Sequence, residues 1–201
     1  FILKPKGSNY SSFELRHASS GIQTTAPLIA MMNYYAQAFD FKLAQKRSII
    51  DLLFEKNLTT QYRPEMELTD MPKYVHIHIE EPELSLDPTS QIQMLNEIIR
   101  LAFYSKVDSR EIGLVLATHS PYIINSLNLL MKAHDCKKDI DGAHVGYDDL
   151  SVYQILSGGV ADLKVKNIHY VNTDRLSEDI NNIYDKYQEL KQLQNEESLG
   201  K

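Results

Sequence analysis

The stretch from Tyr74 to Pro88 constrains this chain more than any other. Tyr74-Val75-His76-Ile77-His78-Ile79 alternates as a β-strand does. The acidic run Glu80-Glu81-Pro82-Glu83 ends that strand. Asp87 is a strong helix N-cap and Pro88 a good first helical residue. Beyond them Ile92, Leu95, Ile98, Ile99, Ala102 and Phe103 recur at helical spacing, which predicts one apolar helix face. Ile112 to Ala117 is then a short continuous apolar run, the pattern of a fully buried parallel strand. Strand, helix and strand make a βαβ unit, whose two strands run parallel with a right-handed crossover. The fold class expected is therefore α/β.

The flanks are read in the same way. Phe13-Glu14-Leu15 is a short strand candidate before His17-Ala18-Ser19-Ser20-Gly21. Leu28, Ile29, Met32, Tyr35 and Ala36 predict a helix, with Pro27 marking its first turns or a kink. A second helix is expected over 42–56, and a polar connection containing Pro64 and Pro72 over 57–72. Ser120 and Pro121 open another helix, lined by Ile123, Ile124, Leu127 and Leu130. Residues 132–149 read as a surface loop. Residues 151–165 read as a hairpin around Ser157-Gly158-Gly159, and 176–197 as a charged helix with a narrow apolar stripe from Ile180 to Leu193. That stripe suits a capping helix or partner contact as well as a solvated terminal helix. The domain reading is a main body over 1–170 and a terminal helix over 171–201.

Composition sets the outer bounds. The chain has 201 residues, 43% hydrophobic and 24% charged, enough for one domain or one large lobe with its own core. A net charge of −6 argues against a domain whose main task is gripping nucleic acid. The single cysteine, Cys136, excludes an internal disulfide and suits a cytoplasmic setting. No apolar run approaches a membrane span, so no membrane partner is expected.

Three constellations carry chemistry. Glu80 and Glu81 fall at the carboxyl edge of a strand, where open α/β sheets place their ligand sites. Neighbouring carboxylates there point different ways, so one can hold a hydrated Mg²⁺ while the other orients a water for attack on a phosphoryl group. Taken alone, the pair is equally a solvated acidic turn. Thr118-His119-Ser120 ends the next strand, and His119 can hydrogen-bond a terminal phosphate or act only structurally. Ser19-Ser20-Gly21 precedes a helix, where free N–H groups and the dipole favour phosphate; by itself it is also an ordinary serine cap. His76 and His78 fall short of the three or four ligands a metal needs and read as core or second-layer histidines. His134, Cys136 and His144 lack a zinc spacing.

In this order the motifs resemble the C-terminal half of ABC-type ATPases, most closely the SMC-like, RecF-like and OLD-type branch of DNA-maintenance and anti-phage proteins. Ala18-Ser19-Ser20-Gly21-Ile22-Gln23 resembles the signature motif, Val75 to Glu81 the Walker B strand, Ser85-Leu86-Asp87 the D-loop, and Leu116 to Pro121 the switch-histidine loop. The resemblance covers roughly residues 13–130. It implies the C-terminal lobe of a P-loop ATPase, with a parallel βαβ core, flanking helices, and a C-terminal hairpin plus helix. It implies that Glu80 supports Mg²⁺, although the wider superfamily has Asp at that position. Glu81 would polarise the attacking water and His119 would sense the γ-phosphate. Asp87 would bridge a dimer interface. Ser19 and Gly21, with Ser20 and Gln23 in the same segment, would contact ATP held by a second protomer. The implied cofactors are ATP and Mg²⁺. The implied partners are a second copy of the chain, a lobe carrying the phosphate-binding loop, and a DNA or protein effector.

That loop, G-x-x-x-x-G-K-[ST], does not occur in these 201 residues; the only Gly-Lys pair is Gly200-Lys201. Positioning is most of phosphoryl-transfer catalysis, so the chain alone is expected neither to bind ATP tightly nor to hydrolyse it. Two other functions remain open at this point. One is a non-hydrolysing ATP-dependent switch. The other is a metal-dependent nuclease using Glu80, Glu81, Glu83 and Asp87.

Overall fold

The computed structural model describes residues 2–4, 11–57, 73–165 and 167–199. The connection expected over 57–72 lies outside them beyond Asn57. The chain forms two compact units, one of Phe1–Thr118 with Asp141–Ala143, the other of His119–Ile140 with His144–Lys201. It is a mixed α/β protein whose described sheets each have two strands.

In the first unit β1 (Ile2–Leu3) pairs antiparallel with β2 (Phe13–Glu14), and a single 3₁₀ turn leads into α1 (Ser20–Asn33). Pro27 sits inside α1 rather than in its first turn, at the cost of one backbone hydrogen bond. A π-turn over Tyr34–Ala38 ends that rod, and α2 (Phe41–Glu55) starts where the Asp40 carboxylate accepts from Leu43 N–H at 2.9 Å. The rings of Tyr34, Tyr35, Phe39 and Phe41 pack edge-on or tilted through this bend, with centroids 4.8–5.8 Å apart.

The centre of the unit is β3 (Tyr74–Glu80), α3 (Pro88–Ile99) and β4 (Glu111–Ala117). β3 and β4 pair in parallel, in register from Tyr74↔Glu111 to Glu80↔Ala117. Alternation turns Ile77 and Ile79 inward with Ile112, and they are buried in the same unit as Met94, Leu95 and Ile98 of α3. Entry to β4 is held by Arg110, which is 3% exposed. Its guanidinium donates to Tyr35 O at 2.7 Å and to Asp108 at 3.3 Å and lies over the Phe41 ring. The Arg110 hydrogen bond, with Lys73 nearby, holds the Asp108 carboxyl below its usual range. Residues 141–143 join this unit, where Asn96 Nδ2 donates to Asp141 at 3.2 Å.

The parallel pair differs from its sequence pattern in two ways. β4 is not buried on both faces: Val115 is 46% exposed and Ala117 is exposed as well. His76 and His78 are not core residues. They share the open face of β3 with Tyr74 and Glu80, because period-two alternation sends the isoleucines the other way. Tyr74 Oη lies 2.6 Å from His76 Nε2, and Gly113 on β4 leaves room for that pair: a Cβ there would come within 2.5 Å of the Tyr74 hydroxyl.

The second unit is built on α4 (Pro121–Asp135), capped by Ser120 Oγ, which accepts from the N–H groups of Tyr122 and Ile123. The helix runs into the region read as a loop, and Gly146 within that region is buried too. The expected hairpin is β5 (Tyr153–Leu156) with β6 (Gly159–Asp162). A second hairpin, β7 (Lys164–Val165) with β8 (Tyr170–Val171), is too short to register as a sequence pattern. Asn128 of α4 pins β8 with both ends of its amide, donating to Val171 O at 3.0 Å and accepting from Val171 N–H at 2.7 Å. The terminal helix α5 covers Asp174–Leu199, and its Ile183, Tyr184, Tyr187 and Leu190 are all at least 59% exposed. No helix among the described residues is long and apolar enough to cross a membrane.

Leu95 is fully buried on α3, whereas Leu52 on α2 is 52% exposed. Leu95→Ala is expected to cost about 2–5 kcal/mol and Leu52→Ala less than about 0.5 kcal/mol. Urea unfolding of the two variants measures both, and equal losses would contradict this placement of the core.

Candidate functional site

The site begins at the carboxyl end of the parallel pair. β3 delivers Glu80 opposite Ala117, and the ladder extends one step further, with Glu81 N–H donating to Ala117 O at 2.8 Å. Glu80 and Glu81 are both exposed. Pro82 is buried beneath the following turn. That turn is compact: Leu84 N–H returns to Glu81 O and Leu86 N–H to Glu83 O, each at 3.0 Å. Glu81 and Ser85 both take left-handed backbone angles, φ 46° and 63°. Each costs a non-glycine residue about 1–2 kcal/mol and persists only where the surroundings impose it.

Three contacts impose it. Ala117 O fixes residue 81, as above. The Thr118 hydroxyl donates to Glu83 Oε1 at 2.7 Å, so the last residue of β4 and the one after it hold both sides of Pro82. From the other direction, α1 leans on the turn: Thr24 Oγ1 lies 3.3 Å from Leu84 O. Gly21 is buried against the turn, and a Cβ at that position would stand 2.7 Å from Ser85 O and 2.8 Å from Leu86 Cδ2. Only glycine lets the start of α1 approach so closely. The signature-like segment and the acidic turn, about sixty residues apart in the chain, are thereby brought together in one unit.

The two serines at the start of α1 face outward, although Gly21 beside them is buried. Ser19 occupies the N-cap position with extended angles, yet its side chain makes no cap hydrogen bond, and Ser19 and Ser20 are exposed. The reading of this segment as an ordinary serine cap therefore loses its defining bond. Gln23 turns back instead, its amide donating to Ala18 O at 2.8 Å and Arg16 O at 3.2 Å, which shapes the approach to the helix rather than presenting the amide outward.

Asp87 caps α3. Its carboxylate accepts from Thr89 N–H at 3.0 Å, Ser90 N–H at 3.2 Å and the Ser90 hydroxyl at 2.5 Å. The Ser90 hydroxyl, reinforced by the backbone N–H groups, holds the Asp87 carboxyl below its usual range. His119 is exposed and follows Thr118 directly in the chain, as the first residue of the second unit. Among the described residues no three His, Cys, Asp or Glu side chains gather as a metal-holding group. Sequence reasoning passes over Glu83 and Thr118 as partners. The available signal is a second acid two residues past Glu81, and a hydroxyl immediately before His119.

No family model, curated protein or solved structure matches the chain.

The depressed Asp87 pKa has a signed consequence. A carboxyl whose folded value lies below its unfolded value contributes stability above the unfolded value, and that contribution is lost as pH falls through the folded one. Asp87→Ala is expected to lower the melting temperature at pH 7, with the gap to the native chain closing as pH drops below the ordinary carboxylate range. A gap of the same size at pH 7 and pH 3 in thermal melts would contradict the cap.

Proposed function

We propose that this chain supplies the hydrolytic lobe of an ABC-type, SMC-like ATPase and works as one half of a nucleotide-sandwiched dimer. One observation carries the reading: two adjacent carboxylates, Glu80 and Glu81, stand at the carboxyl edge of a parallel strand pair, with Glu81 N–H hydrogen-bonded to Ala117 O of the neighbouring strand. Such an edge is where α/β sheets act on nucleotides. Two further features support it. The uncapped, serine-bearing start of α1 suits a phosphate oxygen. The motif order along the chain supports it as well.

In this reading Glu81 orients and polarises the water that attacks the γ-phosphate. Glu80 is the residue that would hold Mg²⁺. A single exposed carboxylate fits that ion, which keeps several waters and takes its other oxygens from phosphate. When bound, Mg²⁺ supplies charge neutralisation on the phosphates. His119 senses the γ-phosphate at the site that Glu81 serves, whereas Ser19, Ser20 and Gly21 receive the phosphate of ATP carried by the second copy. Gln23 shapes the start of α1, and Asp87 both caps α3 and bridges the dimer interface in this reading. The cradle for the β- and γ-phosphates comes from a segment with a phosphate-binding loop, on this polypeptide or another. DNA maintenance and anti-phage defence are the settings proposed for the dimer.

The nuclease alternative is weaker on geometry, because its acids do not converge. Asp87 is engaged in capping α3, and Glu83 accepts from Thr118. In the assembly that contains the phosphate-binding loop, Glu81→Gln is expected to lower kcat by about 100-fold or more while ATP affinity stays within about 3-fold. Turnover measured beside equilibrium ATP binding checks this. A wild-type assembly that binds ATP without turnover would favour the switch instead, and a Glu81→Gln assembly with native turnover would remove Glu81 from the chemistry.

A further inference from the structure

We propose that Glu83 is a positioning residue for hydrolysis: the bond it accepts from Thr118 sets the direction of the Glu81 carboxylate. The inference rests on the reading that ATP is hydrolysed at Glu81 and adds a residue to which the ATPase resemblance assigns no role.

Glu81 has a left-handed backbone, so its side chain leaves the strand edge in a direction set by the turn that follows rather than by β3. That turn is tied to the end of β4 at two successive residues. Ala117 O receives Glu81 N–H at 2.8 Å, and Thr118 Oγ1 donates to Glu83 Oε1 at 2.7 Å. The first tie is backbone to backbone, and any residue but proline at 81 can make it. The second depends on side chains, half-buried at both ends. With the pair in place, residues 81 to 83 are clamped at both ends. Without it, the turn loses its side-chain tie to the end of β4, and the backbone bond at residue 81 no longer has a second tie beside it to fix the turn's orientation. Glu83 acts as a hydrogen-bond acceptor here, and an amide oxygen can take over that task. A group that moved protons or held metal could not be replaced in this way.

The test uses the ATP-hydrolysing assembly with its phosphate-binding loop, and reads kcat, KM and equilibrium ATP binding together. Thr118→Val, which keeps the shape and removes the donor, is expected to lower kcat on the order of 10–100-fold with KM within about 3-fold. Glu83→Ala should match it. Thr118→Ser and Glu83→Gln, which preserve a donor and an acceptor, should stay within about 5-fold of wild type. Thermal melts establish that each variant is folded, and if Thr118→Val is not, Glu83→Ala against Glu83→Gln carries the same comparison. Native kcat in both Thr118→Val and Glu83→Ala overturns the proposal. So does a Glu83→Gln loss as deep as that of Glu81→Gln, which would make Glu83 a reacting group. A wild-type assembly without turnover overturns the underlying ATPase reading as well, and that result is distinguishable because it appears before any substitution is made.

Discussion

Everything proposed for this chain depends on one pairing, the parallel register of β3 and β4 and its extension by a single hydrogen bond from Glu81 N–H to Ala117 O. Parallel strands joined through a helix end at the same edge. The residues that follow each strand are then neighbours in space although they are some forty positions apart in sequence. A slip of one residue would turn Glu80 into the core and Ile79 outward, so the buried isoleucines of β3 and Ile112 of β4 also hold the acids in place. Core packing and the candidate site are in this sense set by the same register.

The second dependence is steric. α1 starts against the acidic turn only because residue 21 lacks a side chain. The turn is itself under backbone strain at Glu81 and Ser85, and it is held by contacts from α1 on one side and from the end of β4 on the other. A phosphate drawn to the start of α1 would therefore act on a helix already in contact with the turn that carries Glu81. Local strain balanced by packing from two elements is a common arrangement where a functional side chain needs a direction its strand alone does not provide.

Much of this was legible in the sequence. The Asp87-Pro88 and Ser120-Pro121 helix starts could be read directly, because capping chemistry is local and an acid or hydroxyl followed by proline has few other uses. The parallel pairing followed from strand, helix and strand in succession. What escaped was long-range. Nothing local distinguishes Gly21 as a close-approach glycine, since the turn it meets lies more than sixty residues away. The Thr118–Glu83 bond spans thirty-five residues and leaves no periodic trace. β4 misled because a continuous apolar run reads as burial on both faces, whereas its Val115 side is open alongside His76, His78 and Tyr74. The short β7–β8 hairpin and the inward turn of Gly146 depend on tertiary contacts that outweigh a polar local sequence.

An open face on a parallel pair is unusual, because such sheets are generally covered on both sides. A lobe carrying a phosphate-binding loop would give that face and the strand edges a neighbour. The most direct test of the account is reconstitution. ATP turnover is followed while the isolated 201-residue chain is titrated into a separately prepared segment that carries the phosphate-binding loop. The account predicts no turnover from the chain alone and a rate that appears and saturates as the two are combined. Hydrolysis by the isolated chain, or a complex that forms and holds ATP but never releases phosphate, would contradict it.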